Sequence, residues 1–97
     1  MRFEWDELKN RRNIRKHGFD FVDAEEVFAG PMIIAMDERE DYGEERWIGI
    51  GILKTRTVVV VYVEREMDTI RIISLRKAMS YERKLYKEAL RNGLGTY

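Results

Sequence analysis

Residues 58–64, VVVVYVE, and residues 71–78, RIISLRKA, decide the fold. The first stretch is apolar at both parities, as a central strand covered on each face would be. Glu66 to Asp68 then makes a break of hairpin length, and residues 70–76 read as the strand that returns beside it. That second strand poses a problem. It begins on Arg71 and closes on Arg76-Lys77, and a guanidinium cannot shed its charge to suit an apolar interior. Either the strand ends carry these cations into water, or the fold holds them toward an anion.

Working outward, RWIGIGIL (46–53) alternates Ile48, Ile50 and Ile52 with Trp47, Gly49 and Gly51. One face of this strand is bulky and the other nearly bare, which marks the close approach of another backbone or of a ligand. Lys54-Thr55-Arg56 is a hairpin-length break, and MIIAM (32–36) is a further short strand. RFEW (2–5) reads as the first strand, with Phe3 and Trp5 inward. Asp6 is placed to cap a helix running to about His17, with Gly18 as its left-handed C′ residue. Its chief apolar positions are Leu8 and Ile14, so a surface helix with a broad cationic face is expected. Asp20 caps a second helix whose inner stripe is Phe21, Ala24, Val27 and Phe28, and Gly30-Pro31 ends it. Ser80 caps the last helix, with Tyr81, Leu85, Ala89 and Leu90 as the expected inner stripe and Asn92-Gly93 as the stop. The order is β-α-α-β-β-β-β-α, a single α+β domain over residues 1–97 with helices packed on an antiparallel sheet.

Composition narrows the function. The 97 residues are 44% hydrophobic and 37% charged, with one proline, which suits one globular core. No cysteine is present, so disulfides, thiolate metal sites and cysteine nucleophiles are excluded. The opening MRFEWDELKN is charged from the second residue and lacks a signal-peptide stretch, and the longest apolar run, Val58 to Val63, is too short for a bilayer. A soluble cytoplasmic protein with no membrane partner is expected. Eighteen basic residues balance eighteen acidic ones, yet the charges are segregated. KNRRNIRKH (9–17) holds five Lys or Arg and no acid, whereas DEREDYGEE (37–45) holds six acids and one arginine. Two opposed faces can hide within a neutral total, one for an anionic ligand and one for a cationic partner.

The chemistry concentrates on the central hairpin, where Tyr62, Glu64, Arg65, Arg71 and Arg76 gather. Alternation puts Tyr62 and Glu64 on one face and Arg65 on the other, and sets Arg71 and Arg76 on opposite sides of an unbroken strand. Register decides which groups meet: an odd sum of paired positions faces Glu64 to Arg71, and an even sum puts Arg65 and Arg71 together. Exposed Glu–Arg pairs explain such residues one at a time, at about 0.2–1 kcal/mol each. Their density favours phosphate, which rewards planar, permanently charged forks beside a proton-transfer group. His17 is the single histidine. One histidine without cysteines does not build a conventional zinc site, so no metal or other cofactor is expected. It either serves the C-terminal end of its helix or joins Lys16 as a proton-transfer group facing the arginines.

Together, NIRKHGFDFVDAEEVF, YGEERWIGIG, VYVERE…RIISLRKA and YERKLYKEAL resemble the BrnT family of bacterial type II toxins, in order and spacing, from Phe3 to about Leu90. The resemblance implies a RelE-like fold and a ribonuclease that halts translation. It also implies a BrnA-type antitoxin with a ribbon-helix-helix segment, contact with operator DNA only through that antitoxin, and two toxin copies per complex. By matching position, the motif residues are Lys16, His17, Glu44, Arg46, Trp47, Glu64, Arg65, Arg71, Ser74, Arg76 and Lys77. Leu75 and Val63 depart from the family, which often has alanine and threonine there. The reaction implied is metal-independent transesterification by the 2′-hydroxyl of RNA. Arg65, Arg71 and Arg76 are expected as a phosphate clamp, and Glu64, Lys16 and His17 are the proton-transfer candidates. Lys77, Arg46, Trp47, Tyr62, Arg12 and Arg15 are expected to bind the substrate. A rival function for the same surface is a non-enzymatic module that partners a DNA-binding antitoxin and tunes its repression.

Overall fold

The computed structural model describes residues 1–93; the last four positions of the expected 1–97 domain lie outside it. Its centre is the long strand β4 (Arg56–Arg65), hydrogen-bonded on one side to β3 (Trp47–Leu53) and on the other to β5 (Thr69–Lys77). Both pairings are antiparallel and follow from the two short breaks. Met67 and Asp68 take left-handed φ values of 59° and 55° in the β4–β5 turn. β2 (Ile33–Met36) extends the sheet beyond β3, and β1 (Arg2–Glu4) closes the other edge, in the order β1-β5-β4-β3-β2. The α+β expectation holds, with one correction. β1 lies parallel to β5, so the sheet is mixed. Hairpin signals fix only neighbours in sequence, and β1 finds its partner across nearly the whole chain.

One face of the sheet is densely covered. Trp47, Gly49, Gly51 and Leu53 of β3, Val58, Val60 and Tyr62 of β4, and Ile70, Ile72 and Leu75 of β5 share it. A 3-10 turn (Phe21–Asp23) and α2 (Ala24–Ala29) bring Phe21, Ala24 and Val27 down onto this face. Asp20 caps the turn by accepting from the Val22 N–H. The bare face of β3 is explained here. A Cβ on Gly51 would stand 2.8 Å from Val27 Cγ1, and one on Gly49 would collide with Met32 Cε. The glycines admit α2 and its exit, not a ligand.

Helix α1 (Glu7–His17) begins at Asp6, whose side chain accepts from Lys9 N, and ends on Gly18 at φ 78°. Its inward residues are not apolar. Leu8 and Ile14 are exposed, and Asn10 and Asn13 are buried. Asn10 Oδ1 accepts from Phe21 N, and its Nδ2 donates to Asp20. Asn13 donates to the carbonyls of Phe19 and Leu75 and accepts from Leu75 N. Its amide thereby satisfies β5 at an edge that the three residues of β1 do not reach. Two buried asparagines therefore anchor a helix that was expected to lie on the surface with few apolar contacts.

Helix α3 (Ser80–Arg91) lies on the opposite face, over Ile33, Ile50 and Val59. Its buried residues are Glu82 and Tyr86, with Ala89 beside them. Of the expected stripe, Tyr81, Leu85 and Leu90 are exposed. The cap residue is Met79, whose N–H donates to Glu82 Oε1. The helix is turned so that this glutamate reaches both its own N-terminus and Arg76. Among the described residues no helix is long and apolar enough to cross a membrane.

Candidate active site

The arrangement of cations follows from one irregularity. Near the turn, β4 and β5 pair with an even sum, Val63 opposite Arg71 and Arg65 opposite Thr69. Beyond it the sum becomes odd, with Val61 opposite Ser74 and Val59 opposite Arg76. Ile73 is thus an extra residue, a β-bulge, and it inverts the alternation that follows. Arg65, Arg71, Ser74 and Arg76 consequently lie on one face, the one α3 covers only in part. The expectation that Arg71 and Arg76 point apart is corrected: a five-residue separation puts them together because one residue falls out of the ladder.

The shared face does not make a single clamp. Arg71 Nη1 bonds Glu4 Oε2 at 2.8 Å, Arg65 Nη2 stands 3.4 Å from Glu44 Oε1, and Arg76 is bidentate on Glu82 at 2.8 and 2.9 Å. Along the strand, Arg71 and Arg76 are roughly 13 Å apart at the usual rise. Three guanidiniums are oriented by three different carboxylates, in a row.

At Arg76 the row opens into a basic notch. This concavity of about 400 Å³ lies where α1 and β5 end, and it is lined by Lys16, His17, Arg56, Arg76 and Lys77 with Phe19 and Met79. No carboxylate lines it. The Glu82 pair holds the Arg76 guanidinium more firmly charged than usual, and the same contact keeps the Glu82 carboxyl below its ordinary range. Burial, then the fields of Lys16 and Arg76, lower the pKa of His17. Its imidazole is therefore neutral at pH 7, able to accept a proton beside two fixed cations. A shallower groove lined by Lys9, Arg12, Lys16, His17 and Ile73 continues from the notch along α1. Arg15 is exposed and lines neither concavity.

Other sequence candidates lie elsewhere. Tyr62 is buried on the densely packed face, edge-on to Phe28 at 4.9 Å, and its phenol is pushed up to about 12 by burial and then by Glu64. Trp47 packs against the same core. Glu64 pairs with Ile70 and so projects from the face opposite Arg65, Arg71 and Arg76. Arg46 stacks on the Tyr42 ring at 4.1 Å and lies 3.5 Å from Glu44, which also faces Arg65. Sequence reasoning overlooked Arg56 and Glu82. Arg56 sits in a hairpin break and reads as an ordinary turn cation; Glu82, three residues after the cap, carries the signal of a helix-start acid.

The fold is a mixed five-stranded sheet with helices on both faces, and a basic notch lies at one strand end. Comparison with known proteins assigns the family. A family model described as the ribonuclease toxin, BrnT, of type II toxin-antitoxin systems matches residues 5–82. The crystal structure of the Brucella abortus ribonuclease toxin BrnT superposes with a TM-score of 0.63 at 28% identity, over 82% of this chain and 99% of that one. No curated protein matches. The chain belongs to the BrnT family of type II ribonuclease toxins.

Proposed function

We propose that this chain is a metal-independent endoribonuclease that halts translation, with the scissile phosphate seated in the notch at Arg76. The observation that carries the reading is five basic side chains lining one concavity with no acid among them. His17 takes the proton from the 2′-hydroxyl as that oxygen attacks the adjacent phosphorus. Arg76, held in place by Glu82, and Lys77 stabilise the charge gathering on the phosphorane. The P–O5′ bond breaks, Lys16 supplies a proton to the leaving oxygen, and the products are a 2′,3′-cyclic phosphate and a 5′-hydroxyl. Exchange with water restores both side chains. Arg71 and Arg65, farther along the same face, hold the flanking backbone, and Lys9 and Arg12 of α1 add a sequence-independent attraction. A BrnA-type ribbon-helix-helix antitoxin neutralises the protein, two toxin copies to a complex, and links it to operator DNA.

The test is to incubate the full chain with total RNA in EDTA and map the ends. Cleavage leaving cyclic phosphates is expected. Replacing His17 by Gln lowers the rate about 10²–10⁴-fold, and Arg76→Ala lowers it about 10²–10³-fold. Melting curves separate lost chemistry from lost folding in the second variant, which strands Glu82. Because burial and the fields of Lys16 and Arg76 lower the His17 pKa below the ordinary 6.5, the rising limb of the pH–rate profile, set by the His17 base, lies below that value. No cleavage by the parent chain would reject the enzyme in favour of the repression-tuning module.

A further inference from the structure

Helix α3 sits on the sheet through Glu82, Tyr86 and Ala89, and the rest of its apolar side chains find no cover. Between it and the end of the β3–β4 hairpin runs a groove of about 760 Å³. Ile52 and Thr57, paired with each other across the hairpin, form the floor with the Tyr86 ring. Leu90, 47% exposed, stands on the wall. The remaining wall is cationic: Arg83, Lys84 and Lys87 line the groove, and no carboxylate does. Arg83 is braced by bonds to the Ala78 carbonyl and to Ser80 Oγ, neither of which neutralises it. Among the described residues Lys84 and Lys87 have no acidic partner within ion-pair distance.

We infer that this groove seats an acidic amphipathic helix of the antitoxin. The match is chemical on both counts. Apolar side chains at i, i+3 or i+4, and i+7 of a partner helix fill a trough of this kind, while its acidic flank meets Arg83, Lys84 and Lys87. RNA would satisfy the cations but leave Ile52, Tyr86 and Leu90 against a charged backbone. The site is separate from the notch, although both meet at the start of α3, where Glu82 holds Arg76. The inference rests on family membership for the existence of an antitoxin, not on the catalytic reading above.

The experiment uses the full chain and, as probe, its cognate ribbon-helix-helix antitoxin, purified separately. Lys84→Glu combined with Lys87→Glu is expected to weaken binding by tenfold or more, as is Leu90→Glu, with unchanged melting. Affinity of the parent should fall with added salt. In RNA digestion, the double variant cleaves as the parent does but is no longer silenced by the partner. If the parent does not cleave RNA, the catalytic reading fails and the binding arm still decides this one. Affinity within threefold of the parent, or no binding by the parent, overturns the proposal. So does loss of RNA cleavage by the double variant with partner binding intact, which would make the groove an RNA surface. A parent dimer dissolved by the charge reversals would assign it to a second copy, and binding gained only on deleting residues 94–97 to the chain's own end.

Discussion

The two faces of the sheet are built by opposite rules. On one, Phe21, Val27, Tyr62, Ile72 and Leu75 interlock with both tryptophans and Phe28, and β3 has given up side chains at Gly49 and Gly51 to let α2 close in. On the other, a single helix rests on a smaller cluster and leaves a row of arginines and an apolar groove beside it, while the basic notch lies at the sheet's end, where Arg76 of this face meets Arg56 and Lys77 of the dense one. The first face uses its surface for cohesion. The second holds its side chains in place with ion pairs and leaves them accessible, as a surface that must meet other molecules requires.

Substitutions test that contrast. The largest effect falls on the dense face: Phe21→Ala removes a side chain 1% exposed and should cost about 3–5 kcal/mol in urea unfolding. An intermediate effect is expected at Asp37, buried at the start of the acidic loop. Its carboxylate accepts from Arg39 at 2.7 Å through both oxygens and from Tyr42 at 3.1 Å. Asp37→Asn should lower stability by about 1–3 kcal/mol at pH 7. Arg39, foremost, holds this carboxyl at about 2 against the ordinary 3.8. The folded pKa lies below the unfolded one, so the stabilisation is complete above pH 4 and fades as pH falls toward 2. Unfolding curves of the parent and Asp37→Asn should therefore converge at pH 2. The smallest effect is expected on the open face. Leu85→Ala, at a side chain 36% exposed, should change stability by at most about 0.5 kcal/mol. A loss near that of Phe21→Ala would mean α3 is as firmly seated as α2, and the contrast would vanish.

Sequence periodicity carried far where burial is apolar. The β3–β4–β5 meander, the stripe Phe21, Ala24, Val27, Phe28 and the caps at Asp6 and Asp20 follow from alternation, helical spacing and oxygen-bearing cap residues. It failed where polar groups are buried. Asn10 and Asn13 look like surface residues of a charged helix, and only the backbone groups of Phe19, Phe21 and Leu75 explain why they turn inward. In α3 both a Tyr81/Leu85 side and a Tyr86/Ala89 side satisfy helical spacing, and Glu82's attachment to Arg76 selects between them. The candidate site was legible as a list of residues, with Lys16, His17, Arg76 and Lys77 meeting in one notch. Its arrangement was not, since Ile73 carries no signal for a bulge.

That bulge makes strand β5 an odd–even counter reset partway along its length. Deleting Ile73 would therefore join Ile72 straight to Ser74 and leave Ser74 opposite Val61, Leu75 opposite Val60 and Arg76 opposite Val59, every side chain on the face it already occupies. A single-codon deletion at this position should thus spare the placement of Arg71, Ser74 and Arg76, because the residue lost is the one the ladder already leaves out.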